Sequence, residues 1–344
     1  MSHSIAIEAT EVVFEPAPGQ SLLDAALHAG IELPYSCRKG VCGSCVGRIV
    51  SGEVQGLNGA PIRNDTCGPD QVLYCMCEPM SNVVLRPVSW KRLDPSARKT
   101  FTAKVHSNQL AAPDVSVLKL RLPAGQRAKF QAGQYLQILL EDGSARCYSM
   151  ANPPHESDGA TLHIRHVPGG QFSARVAQLV PGDLLTIELP FGNVALAADD
   201  VRPIVFVAGG TGFAPVKSIL DDMLKKRVQR DITLIWGARE PGGLYLRAAV
   251  ERWQKQWSGF RFVAALSDAL AHAPGDAFAG RVDEALHSAC ADLAGHVVYC
   301  CGSPPMVSAV RAAATTKGLA AEDFHADVFV PGPSSTPTQH MDPR

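Results

Sequence analysis

Along the chain the spacing of apolar positions changes twice, and the changes mark off three unlike segments. In the first, short apolar runs at 5–9 and 11–15 read as strands, and an amphipathic helix is expected over 21–29. From residue 101 onward, runs at 101–106, 115–122, 135–140, 161–166 and 184–189 alternate or are rich in β-formers. Turn signals such as Ala132-Gly133, Asp142-Gly143 and Pro181-Gly182 separate them, the pattern of a small antiparallel barrel. From about residue 200, apolar strand-like runs at 203–208, 232–236, 261–265 and 296–301 alternate with helical stretches at 214–226, 246–256, 282–289 and 305–317. Such alternation predicts a parallel sheet with helices on both faces.

The stretch 90–100 is charged, carries Pro95 and lacks strand periodicity, so it reads as a linker. The expected organisation is a first unit over 1–92, a linker over 93–100, a barrel over 101–198 and an α/β unit over 199–331. Residues 332–344 are rich in Pro, Ser and Thr and are expected to be a disordered tail.

Composition narrows the function classes. The 344 residues are 46% hydrophobic and 19% charged, ordinary values for a soluble multi-domain enzyme. No apolar run approaches the ~20 residues of a membrane helix, and a net charge of −1 argues against nucleic acid as a partner. The start Met1-Ser2-His3-Ser4 lacks the basic and apolar stretches of a secretory signal, so a cytoplasmic location with reduced thiols is expected.

The cysteines then point to chemistry. Cys37, Cys42 and Cys45 have the spacing C-x4-C-x2-C, and Cys75 follows far along the chain, which is the ligand run of a plant-type [2Fe-2S] cluster. Structural zinc usually takes two close pairs of thiolates, whereas three cysteines here crowd one loop. Gly40 and Gly43 let that loop fold tightly and aim amides at sulfur. Cys77 stands as a rival fourth ligand. A strand, helix and cluster-loop arrangement of this kind suggests a β-grasp ferredoxin domain.

The barrel carries a candidate flavin site. Arg146-Cys147-Tyr148-Ser149 is placed on a strand, so Arg146 and Tyr148 share a face. A guanidinium there can grip a pyrophosphate, a tyrosine can lie against a flavin ring or ribose, and Ser149 can hydrogen-bond flavin N5; an ordinary strand with an exposed Arg is the alternative. Gly169-Gly170-Gln171-Phe172-Ser173 then runs into a helix-like stretch at 174–179, whose N-terminus would suit the flavin phosphates, a plain β-turn and N-cap being the alternative. In the third segment, Gly209-Gly210-Thr211-Gly212 joins a buried strand to a helix, a turn that admits a dinucleotide. Cys301-Gly302 closes another strand at the same end of the sheet, which places Cys301 where a nicotinamide binds or, alternatively, makes it a packing cysteine.

Taken in order, these motifs resemble the ferredoxin-NADP reductase superfamily, in the branch with an N-terminal plant-type ferredoxin that serves bacterial oxygenases. The resemblance runs from the Cys37 loop to Asp327-Val328-Phe329. It implies a multi-domain α+β and α/β fold: a β-grasp ferredoxin domain, an antiparallel β-barrel flavin domain and a parallel-sheet α/β nucleotide-binding domain. It also implies that Arg146, Tyr148 and Ser149 bind FAD, that Gly169, Gly170 and Ser173 hold its phosphates, and that Thr211 and Cys301 meet the nicotinamide beside Gly209, Gly210, Gly212 and Gly302. Phe329 would cover the flavin ring. Ser149, Cys301 and Phe329 are thus the residues expected at the reacting atoms.

A nicotinamide delivers two electrons and a [2Fe-2S] centre accepts one, so the flavin divides the pair. The expected partner is a Rieske-type terminal oxygenase of an aromatic-ring dioxygenase, whose centre lies near −150 to +300 mV against about −400 mV for plant-type ferredoxins. Other hydroxylases, or a deoxysugar dehydrase, are alternative partners, and a redox-sensing module without catalysis is the alternative from another class. Arg239 and Arg247 after the 232–236 strand, with Gly243 where many NADH-using relatives carry Asp, predict NADPH, with NADH the alternative through Glu240. The oxygenase is expected to dock at Arg38 and Lys39 on the cysteine loop.

Overall fold

The computed structural model describes residues 3–64, 66–94, 98–192, 200–268 and 275–330. In the N-terminal part, a five-stranded sheet has the order Val13–Phe14, Ile5–Ile7, Val83–Pro87, Val46–Ser51, Gln71–Leu73. Ile5–Ile7 runs parallel to Val83–Pro87 and antiparallel to Val13–Phe14. The helix Leu22–His28 covers this sheet with Leu22, Leu23, Ala25 and Ala26. Ser21 starts it as an N-cap, its hydroxyl accepting from Asp24 N at 3.0 Å.

The second unit is a six-stranded antiparallel sheet in the order Ala145–Ser149, Tyr135–Leu139, Leu184–Phe191, Lys99–Ala112, Val115–Arg121, Gly159–Arg165. A bridge between Met150 and Leu162 joins its two ends and curls the sheet on itself. Alternate residues, among them Ala103, Val105, Leu136, Ile138 and Ile187, fill the interior.

All pairings in the third sheet are parallel: Phe278–Ala279, Phe260–Leu266, Ile232–Ala238, Ile204–Gly209, Val297–Gly302, Phe324–Val328. The chain builds outward from Ile204–Gly209 in one direction and then crosses to Val297–Gly302 on its other side. The crevice where such order reverses is where open α/β sheets bind ligands. Gly209 and Gly302 end the two strands that flank it.

Some expectations change. The helix expected over 174–179 is one 3-10 turn, Val176–Gln178. Asn108 Nδ2 donates to the carbonyls of Val176 at 2.7 Å and Leu179 at 3.0 Å, and Val180 N turns to Asp183 Oδ2 at 2.9 Å, so the bonds that would extend a helix are taken. The strand Phe324–Val328 was not anticipated. Within the stretch read as a linker, Lys91–Arg92 pairs with Ile31–Glu32, and the long barrel strand already begins at Lys99. Residues 95–97, and the tail expected over 332–344, lie outside the described residues.

Candidate electron-transfer site

The cysteine loop is held in a conformation few residue types adopt. Gly40 and Gly43 have φ of 75° and 77°, in the left-handed region, and a Cβ on Gly43 would sit 2.6 Å from Thr66 Oγ1. The tight path aims amides at sulfur: Lys39 N and Cys42 N donate to Cys37 Sγ, each at 3.4 Å, and Ser44 N donates to Cys42 Sγ at 3.4 Å.

The four sulfurs approach in two pairs. Cys45 Sγ lies 3.2 Å from Cys75 Sγ, and Cys37 interacts with Cys42. Within each pair the partner's S–H donates to the more ionised member, so Cys37 and Cys75 lie below the ordinary thiol value. Among the described residues no three His, Cys, Asp or Glu side chains close on a single ion. Two cysteine pairs, with three of the four sulfurs in a loop of amide donors, would instead suit a two-iron centre. Cys77 is not part of this arrangement. It is fully buried in the core with Ile5 and Leu85, and burial pushes its thiol up to about 12.

The two flavin motifs meet. Arg146 Nη2 donates to Gln171 Oε1, and the rings of Tyr148 and Phe172 lie 5.7 Å apart, so Arg146 and Tyr148 share a face as expected. Cys147 points the other way and is exposed, while Ser149 is buried. Gly169 has φ 74°. Ser173 Oγ accepts from Val167 N at 3.4 Å and leaves no room for a Cβ at Gly170. No helix N-terminus stands behind this turn, so a phosphate cradle here would have only turn amides and Arg146 to draw on.

The glycine turn follows its expected course: strand Ile204–Gly209, a 3-10 turn Gly210–Gly212, then helix Phe213–Lys225. A Cβ on Gly212 would lie 2.2 Å from Cys301 O, and one on Gly209 or Gly302 would meet Met306 Sδ at 2.4 or 2.5 Å. These glycines are needed for close approach across the crevice, where Thr211 remains half-buried. Cys301 is buried, and burial holds its thiol well above the ordinary value, so it stands there as a neutral S–H. Phe329 N donates to Gly302 O at 2.8 Å, which ties the aromatic to the same end of the sheet. Arg239 is exposed just beyond the strand Ile232–Ala238.

The second and third units are joined by polar contacts. Ser218 Oγ donates to Asn152 O at 2.7 Å and Lys217 Nζ to Ala151 O at 3.2 Å. Tyr245 Oη and His163 Nδ1 lie 3.0 Å apart, and burial lowers the pKa of His163 to about 3.

All three units meet at Asp327. It pairs with Cys301 in the sheet register, its Oδ1 accepts from Ser36 Oγ at 2.8 Å, and its Oδ2 accepts from Ser149 Oγ at 3.3 Å. Burial raises its pKa. The carboxyl is enclosed, although the residue borders a cleft of about 820 Å³ that Ser36, Cys42, Tyr135 and Phe324 also line. The Asp327 side chain thus touches the residue before the first cysteine and the last residue of the flavin motif, while its backbone pairs with the strand that carries Cys301.

Comparison with known sequences agrees along the chain. Residues 5–80 match the model for a 2Fe-2S iron-sulfur cluster binding domain, 102–196 that for an oxidoreductase FAD-binding domain, and 206–312 that for an oxidoreductase NAD-binding domain. Reductase component 2 of terephthalate 1,2-dioxygenase from Comamonas sp is 61% identical over 334 residues, 97% of this chain and 99% of the relative. The chain belongs to the ferredoxin-NADP reductase superfamily, in the branch that carries its own [2Fe-2S] domain.

It is an oxidoreductase of the electron-transfer reductase type. Members of the superfamily serve unlike systems. A CDP-6-deoxy-L-threo-D-glycero-4-hexulose-3-dehydrase reductase of Yersinia pseudotuberculosis is 33% identical over 96% of this chain and 99% of that protein. The crystal structure of a cytochrome P450 reductase from Amycolatopsis superposes with a TM-score of 0.75 at 30% identity, covering 95% of this chain and 98% of its own. Among the described residues no helix is long and apolar enough to cross a membrane.

Three site residues of this reductase had no role from motif spacing: Ser36, Asp327 and Arg311, the last of which donates to Cys42 O at 2.8 Å. Asp327 lies within the resembling Asp327-Val328-Phe329 run, a signal that names no role for it. Ser36 and Asp327 are 291 residues apart. Their contact comes from how the units pack, which no local pattern encodes.

Proposed function

We propose that this reductase passes electrons from NADPH through FAD to a [2Fe-2S] cluster held by Cys37, Cys42, Cys45 and Cys75, and from there to a Rieske-type terminal oxygenase acting on terephthalate in the cytoplasm. The observation that carries the reading is the convergence on Asp327 of Ser36, Ser149 and the Cys301 strand. It brings the flavin and cysteine motifs to the short separation that electron transfer between them needs.

The bound FAD would supply the change from two-electron to one-electron chemistry. Arg146 and the 169–173 turn would hold its phosphates, Tyr148 and Phe329 would lie on its ring, and Ser149 would present a hydroxyl at the reacting edge. Gly209, Gly210, Gly212 and Gly302 leave space in the crevice for the dinucleotide, and Thr211 and the neutral Cys301 thiol would border its nicotinamide. Support for NADPH comes from exposed Arg239 and Arg247 and from Gly243, where an added Cβ would come within 2.8 Å of Ala238 Cβ, so no acidic side chain fits without local adjustment.

The terephthalate partner rests on the 61% identity across nearly the whole chain. Reconstitution with purified terephthalate oxygenase tests it: NADPH-driven, stoichiometric formation of the dihydrodiol is expected. Reduction of a dye or cytochrome without turnover of that oxygenase would assign the chain to another partner, the dehydrase reductase relative showing that such partners exist.

A further inference from the structure

The cysteine loop does not face open solvent on every side. Cys42, with Cys37 and Val41 beside it, packs into an apolar cluster with Val207, Val307, Val310 and Phe324 of the nucleotide-binding unit. In that seat Arg311, on helix Pro304–Thr316, donates from Nη2 to the Cys42 carbonyl at 2.8 Å. Its guanidinium lies 4.1 Å over the Phe324 ring. Among the described residues no carboxylate forms an ion pair with Arg311, whereas Arg38 of the loop is paired with Asp24. Arg311 is thus a partly buried cation, not neutralised by a carboxylate, set against a ligand residue by a different domain.

A [2Fe-2S] centre gains one negative charge when it takes up an electron, and its potential responds to nearby charge, hydrogen bonds and solvent exposure. A partly buried cation beside it acts on it more strongly than an exposed one such as Lys39, which is screened by water and salt. We propose that Arg311 raises the reduction potential of the cluster while the ferredoxin domain is seated on the nucleotide-binding domain. Any movement that parts Cys42 from Arg311 then lowers the potential. The seated cluster is the better acceptor from the flavin, and the released cluster the better donor to a partner. The inference rests on the assignment of the cluster to Cys37, Cys42, Cys45 and Cys75.

An EPR-monitored redox titration of the full-length, cluster-loaded protein tests it, with wild type, Arg311→Gln and Arg311→Lys compared at matched iron content. The midpoint falls in Arg311→Gln, which removes the charge, and stays near wild type in Arg311→Lys, which keeps it. An unchanged midpoint in Arg311→Gln, or an equal fall in both variants, overturns the proposal. Should Arg311→Gln not assemble a cluster, Ser36→Ala serves instead: it loosens the seat at Asp327, so its midpoint falls, and an unchanged one overturns the proposal. A wild-type protein without any [2Fe-2S] signal on reduction would instead defeat the cluster assignment itself.

Discussion

Ser36 Oγ donates to Asp327 Oδ1 at 2.8 Å, joining the residue beside the first cysteine of the ferredoxin loop to the last strand of the nucleotide-binding sheet. The other oxygen of the same carboxyl holds Ser149 at 3.3 Å. A partly buried polar group of this kind is favoured by keeping its partners, a typical hydrogen bond contributing about 0.5–1.5 kcal/mol. The junction therefore favours one seating of the ferredoxin domain over its neighbours, with the cysteine loop and the flavin strand on either side of one side chain.

The choice between Cys75 and Cys77 is directly testable. Cys75→Ser is expected to lose the cluster, read as iron content and visible absorbance. Cys77→Ala should keep it, at a cost in stability of about 1–2 kcal/mol for the volume lost from a packed core. Cluster loss in Cys77→Ala with retention in Cys75→Ser would reverse the assignment.

Coenzyme preference should follow Arg239. Wild type is expected to use NADPH with a higher kcat/KM than NADH, and Arg239→Ala to lower that value for NADPH by about tenfold, the size of one lost charge-assisted hydrogen bond, with little change for NADH. Steady-state kinetics with both coenzymes reads this out, and a wild-type advantage for NADH contradicts it.

Docking of the oxygenase should involve the exposed part of the cysteine loop. Arg38 and Lys39 are both exposed, but Arg38 is paired with Asp24, so Lys39 is the cleaner probe. Lys39→Glu is expected to slow transfer to the oxygenase severalfold at low salt, with the difference shrinking as ionic strength rises. Reduction of the flavin by NADPH should not change. Slowing that is independent of salt would place the docking surface elsewhere.

His163 makes stability depend on pH. Its pKa in the folded protein is about 3 against an ordinary 6.5, because burial disfavours the charged ring. The neutral ring is the form the fold accepts, so this contribution is complete above pH 6.5 and is lost as pH falls toward 3. At pH 5 the loss is about 2 kcal/mol. Denaturant titrations at pH 7 and pH 5 should show that loss in wild type and a smaller one in His163→Gln, while equal losses in the two proteins would remove His163 as the cause.

Much of the fold was legible because its elements bury one face with regular spacing. Helix Val282–Ala289 and the strands at 115–121 and 135–139 follow directly from apolar periodicity. Phe324–Val328 was missed because His325 and Asp327 interrupt the apolar run; the strand is specified by pairing with Val297–Gly302, not by its own composition. The stretch 174–179 misled for the opposite reason, since its helical spacing is overridden by Asn108 from a distant strand. At the site, the cysteines and glycines stand out because their spacing implies a chemistry, and the structure brings the four cysteines into two pairs and the glycines to the crevice. Asp327, Ser36 and Arg311 were not, because each acts across a domain boundary.

In the function proposed above, electrons cross from flavin to cluster at the Ser36–Asp327 junction. Anaerobic stopped-flow mixing with NADPH, following flavin and cluster absorbance separately in wild type and Ser36→Ala, resolves this crossing. Flavin reduction is expected first and at equal rates in both proteins, then cluster reduction, slower in Ser36→Ala by about threefold to tenfold for one lost hydrogen bond. A wild-type flavin that is reduced while the cluster stays oxidised, or a Ser36→Ala protein whose cluster is reduced as fast as wild type, would contradict it.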